Sequence, residues 1–120
     1  MERKPLYWIA SSLEDLKKFP DDVQDDIGHA LDIAQSGDKH PSSKPLKGIG
    51  SGVYEIVENY NTDTYRAVYT VHFEDAVYVL HCFQKKSKKG IQTPKQEIDL
   101  IKKRLLRAID EYKAMKGETL

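Results

Sequence analysis

The run VYEIVENYNTDTYRAVYTVHFEDAVYVLHCFQ, residues 53–84, decides the fold. It is rich in Val, Ile and Tyr, and five of the seven tyrosines fall inside it. Such side chains suit a pleated, half-buried surface. Two polar interruptions, Asn61–Thr64 and Glu74–Asp75, divide the run into expected strands at Val53–Tyr60, Tyr65–Phe73 and Ala76–Gln84. Turns this short imply an antiparallel meander. If Thr62–Asp63 and Glu74–Asp75 are the central turn pairs, Asn59 lies opposite Arg66 and Arg66 opposite Phe83. Alternation then puts Tyr54, Ile56, Tyr60, Tyr65, Ala67, Tyr69, Val71, Phe73, Tyr78, Leu80 and Cys82 on one face, which should meet the helices. The other face collects Glu55, Arg66, His81 and Lys85 among Val57, Val68, Val79 and Phe83, with His72 on a neighbouring strand.

Working outward from this meander, residues 37–52 hold Gly37, Gly48, Gly50 and Gly52 with Pro41 and Pro45, and read as a loop. The loop carries Lys39, His40, Lys44 and Lys47. Upstream, Val23, Ile27, Ala30, Leu31 and Ala34 recur at helical spacing, with Gly37 as the stop. A shorter helix precedes it, with Ser11 as cap and Glu14 in the reciprocal position. The two helices form an αα-hairpin behind a short aromatic strand at Leu6–Ala10. Downstream, Thr93 is placed as an N-cap, Pro94 at the first helical position and Gln96 as the closing residue of a capping box. Ile98, Ile101, Leu105, Ala108, Ile109 and Tyr112 make the buried stripe of that last helix. The expected architecture is α+β: a small antiparallel sheet with an N-terminal helical hairpin and a C-terminal helix, one domain over residues 1–120.

The chain has 120 residues, of which 39% are hydrophobic and 32% charged, as expected of a soluble globular protein. Nineteen basic and nineteen acidic side chains cancel, which excludes a strongly basic nucleic-acid binder. The charges are nonetheless segregated. Lys17 and Lys18 face eight carboxylates between residues 10 and 38, whereas Lys85, Lys86, Lys88, Lys89 and Lys95 crowd residues 85–96. Such a dipolar surface steers a polyanion to one side. The single cysteine, Cys82, permits no internal disulfide and no cysteine-based zinc site. No apolar stretch reaches the length of a membrane span, and no secretory signal is visible, so a cytoplasmic protein is expected.

Several motifs have duller readings that win. Asp21-Asp22-x-x-Asp25-Asp26 looks like a metal-binding run, but four carboxylates in the first turns of a helix are explained by the helix dipole. Gly48-x-Gly50-x-Gly52 leads into a strand, whereas a dinucleotide fingerprint needs a helix there. Other features point to chemistry. Lys85, Lys86, Lys88 and Lys89 follow a strand and precede a helix, as a cluster contacting phosphates would. Lys39, Lys44 and Lys47 add to it if the two loops converge. Arg66 sits within a strand and must face a charged ligand or pair with Glu55 or Glu58. His81 and, with less weight, His29 and His40 are candidate proton carriers.

Residues 45–104 closely resemble the RelE/ParE toxin superfamily in its phage-related, HigB-like branch. The carrying residues are Leu46-Lys47-Gly48, Gly52-Val53-Tyr54-Glu55, Tyr65-Arg66-Ala67-Val68-Tyr69, Tyr78 to Lys86, and Thr93-Pro94-x-x-Glu97-Ile98. The resemblance implies the toxin of a type II toxin–antitoxin pair. Its activity would be metal-independent cleavage of mRNA, often on the ribosome. Its partner would be a helix-turn-helix, HigA-like antitoxin, and no cofactor is implied. Carried onto this chain, Arg66 would clamp the scissile phosphate, and Lys47 and Lys85 would supply charge or a proton. His81 would be the reserve proton carrier, oriented with Arg66 by Glu55. Lys86, Lys88, Lys89 and Lys44 would hold the RNA. One departure is Val57, where the family commonly carries an arginine. It keeps two alternatives in view: a ParE-like gyrase inhibitor, and an inactive phage relic that still binds its antitoxin.

Overall fold

A computed structural model describes residues 3–85 and 93–117. The elements are β1 (Leu6–Trp8), α1 (Ser12–Lys17), α2 (Asp21–Gln35), β2 (Ser43–Pro45), β3 (Val53–Tyr60), β4 (Asp63–Thr70), β5 (Val77–Lys85) and α3 (Lys95–Met115). They build one five-stranded sheet in the order β1-β5-β4-β3-β2. Three of its four pairings are antiparallel, and β1 lies parallel to β5 at one edge. The sheet is therefore mixed, and the antiparallel expectation holds for its main body.

The first hairpin turns one residue earlier than the sequence suggests. Tyr60 pairs with Asp63, so the turn is Asn61–Thr62, and Asn59 faces Thr64 rather than Arg66. Asn61 makes this possible by adopting a φ of 57°, a region its short polar side chain tolerates. The partner of Arg66 on β3 is Val57. The resulting shift of two residues preserves which face each side chain takes. On the other side, Arg66 faces Phe83 as expected.

A β-bulge in β5 changes more. Val68 pairs with His81 and Tyr69 with Val79, which leaves Leu80 as the extra residue. Alternation is interrupted there. Val77, Val79 and Cys82 therefore pack with Ile56, Tyr65, Ala67 and Tyr69 against Leu16, Phe19, Val23, Ile27, Ala30 and Leu31 of the helical hairpin. Tyr78, Leu80 and Phe83 turn to the other face, with Val53, Val68 and the displaced Phe73. That second face is not open. Ile101 and Ala108 of α3 are fully buried on it, with Ile98, Leu105, Ile109 and Tyr112 alongside. The chain thus has helices on both faces of its sheet, because the bulge supplies enough apolar surface on the second face to hold an amphipathic helix. Each large side chain buried there contributes about 1.5–3 kcal/mol.

Smaller differences follow the hydrogen bonds. Residues 43–45, expected as loop, form an edge strand because Lys44 and Pro45 align with Glu55 and Tyr54 of β3. The second strand ends at Thr70 rather than Phe73, and residues 71–76 are a connection in which His72 is exposed. Ser11 does cap α1, but its hydroxyl donates to Asp15 Oδ2 at 2.8 Å rather than to the helix backbone. Thr93 is not the cap of α3; Pro94 takes that place and its carbonyl accepts from Glu97 and Ile98.

Gly52 joins the loop to β3 at a φ of 82°, and its carbonyl accepts from Val71 N at 2.8 Å and Thr70 Oγ1 at 3.0 Å. A Cβ there would lie 3.3 Å from the backbone N and Cα of His72. Gly52→Ala is expected to cost about 1–3 kcal/mol through backbone strain and this close approach. Chemical denaturation of both proteins measures it; an unchanged midpoint would show that the junction relaxes freely.

Candidate functional site

The site is assembled where β2, β3, β4 and the start of α3 meet on the second face. Arg66 and Glu55 form its floor. Arg66 Nη1 donates to Glu55 Oε1 at 2.8 Å, and both residues are 3% exposed. Thr93 completes the group: its hydroxyl donates to Glu55 Oε2 at 2.6 Å and lies 3.5 Å from Arg66 Nη1. Arg66 is thus placed under the start of α3, engaged with Glu55, rather than on an open surface. Of the two readings left by the sequence, the ion pair with Glu55 is the arrangement present.

Above this floor lies a cleft of about 500 Å³ lined by Lys44, Pro45, Leu46, Lys47, Glu55, Thr93 and Ile98. Lys44 is brought there by its pairing with Glu55 across β2 and β3, and Lys47 follows two residues beyond the strand. Both lysines are exposed. Lys85 ends β5, opposite Thr64, two residues beyond Phe83 and on the same face as Arg66. The cationic residues of the two chain segments therefore share one side of the sheet. Lys86, Lys88 and Lys89 lie outside the described residues.

His81 is also on this face but is engaged by protein groups at both ring nitrogens. Nε2 lies 3.2 Å from Glu97 Oε1, and Arg104 Nη1 approaches Nδ1 at 3.2 Å while donating to the Leu80 carbonyl at 3.0 Å. An arginine donor requires an acceptor, so Nδ1 carries the lone pair and Nε2 the proton. Burial pushes the His81 pKa below its ordinary value, partly offset by Glu97. The unfolded chain takes up the His81 proton near the ordinary value of 6.5, whereas the folded chain takes it up only at lower pH. Stability should therefore fall as pH drops below about 6.5, until the folded form also protonates. His81→Asn should flatten that part of a stability–pH curve, and an unchanged slope would remove His81 as its cause.

Arg104 escapes notice in the sequence, although a signal exists. It lies three residues after Ile101 and four before Ala108, so it occupies the buried stripe of α3. A charge on such a stripe demands partners. Arg104 finds them in Leu80 and His81, and also in Ser11 Oγ at 3.3 Å. Thr93 stands out in the sequence only as a capping residue, and the tertiary fold gives its hydroxyl to Glu55. His29 and His40 form an edge contact away from the cleft, with ring centroids 5.5 Å apart. The Cys82 thiol is buried, which pushes its pKa up to about 12 and makes it a poor nucleophile. Among the described residues no three His, Cys, Asp or Glu side chains come together as a metal-ligand set. No described helix is long and apolar enough to cross a membrane.

The model of the family described as "Phage derived protein Gp49-like (DUF891)" matches residues 14–106, from α1 into the middle of α3. The chain belongs to this Gp49-like family. No curated protein matches it. Among solved structures, the Gp49-like chain is similar to a mutant of the Escherichia coli toxin RelE in the free state. The TM-score is 0.51 and the identity 20%, over 68% of this chain and 82% of that one. It is also matched by the toxin–antitoxin complex RelBE2 from Mycobacterium tuberculosis. There the TM-score is 0.46 and the identity 18%, over 70% of this chain and 100% of that one. The fold of the Gp49-like chain is RelE-like, as the resemblance of residues 45–104 implied.

Proposed function

We propose that this Gp49-like chain is the toxin of a type II toxin–antitoxin pair and acts as a metal-independent endoribonuclease on mRNA, engaged on the ribosome. The observation that carries the reading is the cleft in which Lys44 and Lys47 stand over the buried Arg66–Glu55 pair and the half-buried Thr93. Membership of the Gp49-like family and the RelE-like fold agree with it.

RNA needs no metal to be cut if its own 2′-hydroxyl attacks the neighbouring phosphorus. A base takes the 2′ proton, the P–O5′ bond breaks, and an acid protonates the departing 5′ oxygen. The products are a cyclic phosphate and a 5′-hydroxyl. Lys47 and Lys85 are the groups proposed to move these protons and balance the phosphorane charge. Lys44, with Lys86, Lys88 and Lys89, would hold the RNA backbone through point-charge contacts. Arg66 acts first through Glu55 in this arrangement; direct contact with a phosphate requires it to exchange that carboxylate for the ligand. His81 fits a positioning role better than a proton shuttle, since both its nitrogens are engaged. The proposed partner is a helix-turn-helix antitoxin that covers the cationic face.

Controlled expression with mapping of transcript ends tests the reading. Growth arrest with new RNA ends is expected. Intact transcripts during arrest would overturn it, and DNA-damage signalling with uncut RNA would point to gyrase instead. A second reading, the non-toxic antitoxin-binding relic, is favoured by one observation: Val57 lies directly opposite Arg66, where an arginine would have added a second cation. Normal growth on expression without antitoxin would establish that reading.

A further inference from the structure

We propose that the cleft binds a single unpaired guanine and that Glu55 is the residue that reads it. The inference rests on the reading of this cleft as an RNA site and adds what that RNA must present there. Glu55 is held in one orientation from both ends, by Arg66 at Oε1 and by Thr93 at Oε2. A carboxylate has about four acceptor positions. Among the described residues these two bonds take one on each oxygen. Each oxygen therefore retains one acceptor position, and Glu55, its side chain 4% exposed, lines the cleft at its floor, where a base must enter to reach it.

A planar group with two adjacent N–H donors at the spacing of the carboxylate oxygens is the natural complement. Guanine offers such a pair on one edge, its ring N1–H and its exocyclic amine. Adenine and cytosine each place an acceptor beside their amine, and uracil flanks its single N–H with two acceptors. An acceptor set against a carboxylate is repelled, so the other three bases form one bond fewer and meet a repulsion. The rest of the cleft suits the rest of a nucleotide. Pro45, Leu46 and Ile98 give apolar walls for the flat faces of a base, and Lys44 and Lys47 are placed for its phosphate. A volume of about 500 Å³ accommodates one nucleotide. Glu55 is then a specificity residue, and Arg66 and Thr93 position it.

Titration of the full chain with guanosine, inosine, adenosine and uridine 5′-monophosphates, followed by amide chemical shifts, tests this. Guanosine monophosphate should move the amides of Leu46, Lys47, Thr93 and Ile98. Inosine monophosphate keeps N1–H but lacks the amine, and should bind at least about tenfold more weakly; adenosine and uridine monophosphates should bind more weakly still. Glu55→Gln replaces one acceptor by a donor and should abolish the preference for guanine. Should that variant fail to fold, the series on the unaltered chain still decides. Equal binding of all four, shifts confined to another surface, or no guanosine monophosphate binding at millimolar concentration would each overturn the inference. Transcript-end mapping keeps the two readings apart. Guanine binding with uncut RNA removes the nuclease and leaves the guanine site, whereas cut RNA without nucleotide preference removes the guanine site alone.

Discussion

Arg66→Ala is expected to be the most damaging single substitution at the site. It leaves the Glu55 carboxylate buried and without its guanidinium, a defect that costs about 3–5 kcal/mol. For a chain of this size the melting temperature should drop by about 10 °C or more. The same variant should relieve growth arrest, but loss of fold alone would produce that result. A second variant separates the two effects. Replacing both partners, Arg66→Met with Glu55→Leu, removes the pair without stranding a charge and should recover much of the stability. If arrest returns with stability, the pair serves the fold only and takes no part in RNA cleavage. If the double variant is stable and harmless, the charges serve the cleft. An unaltered melting temperature in Arg66→Ala would show that the pair contributes little.

The second large effect should come from the rim. Lys44 and Lys47 are exposed, so the double substitution Lys44→Ala with Lys47→Ala should change stability by no more than about 0.5 kcal/mol per site. Its effect on function should be far greater. Removing one phosphate-binding lysine lowers the salt dependence of single-strand binding by about 0.7 in log–log slope, so removing both lowers it by about 1.4. If Lys47 also moves a proton, cleavage should fall by about 100-fold or more. Binding to a short single-stranded RNA at several salt concentrations, beside a cleavage assay, measures both. A slope equal to that of the unaltered chain would remove these lysines from the interface. A changed slope with unchanged cleavage would assign them to binding and leave proton transfer to Lys85.

The two variants probe different parts of the chain's design. Arg66 and Glu55 are a stability problem solved by mutual pairing, since each charge would be costly alone in the interior, and the half-buried Thr93 adds a bond to the carboxylate. Lys44 and Lys47 face solvent and need no such pairing. Placing exposed cations at the edge of a fixed, buried network lets a small protein with zero net charge hold a local positive patch. The acidic α2, which carries Asp21, Asp22, Asp25 and Asp26, lies on the other face of the sheet. An approaching polyanion is therefore repelled from one side and drawn to the other.

The three central strands, the helical hairpin and the last helix are legible in the sequence because their signals are local. Side-chain alternation, helical spacing and punctuation by Gly, Pro and Asn depend on neighbours a few residues away. The RelE-like fold is legible for the same reason, carried by short motifs within residues 45–104. The bulge at Leu80 leaves no comparable mark, because a run of Val, Tyr, Val and Leu reads equally well in either register. That one extra residue sends Val79 toward the hairpin and Tyr78 and Leu80 toward α3. It thereby covers a face that simple alternation leaves exposed.

The residues of the site are likewise easier to name than to arrange. Composition and order supply Arg66, Glu55, Lys44, Lys47 and Lys85, and place Arg66, Glu55 and Lys85 on one side of a sheet. Thr93 is 38 residues from Glu55 and 27 from Arg66, and Arg104 is 93 from Ser11. Contacts over such separations follow from how α3 packs, and no local pattern encodes them. The chain's own letters thus determined which chemical groups are available and which strand or helix carries each one. Packing alone decided that the arginine is held by a carboxylate and a threonine beneath a helix, because burying a charge forces it to find partners wherever the fold brings them.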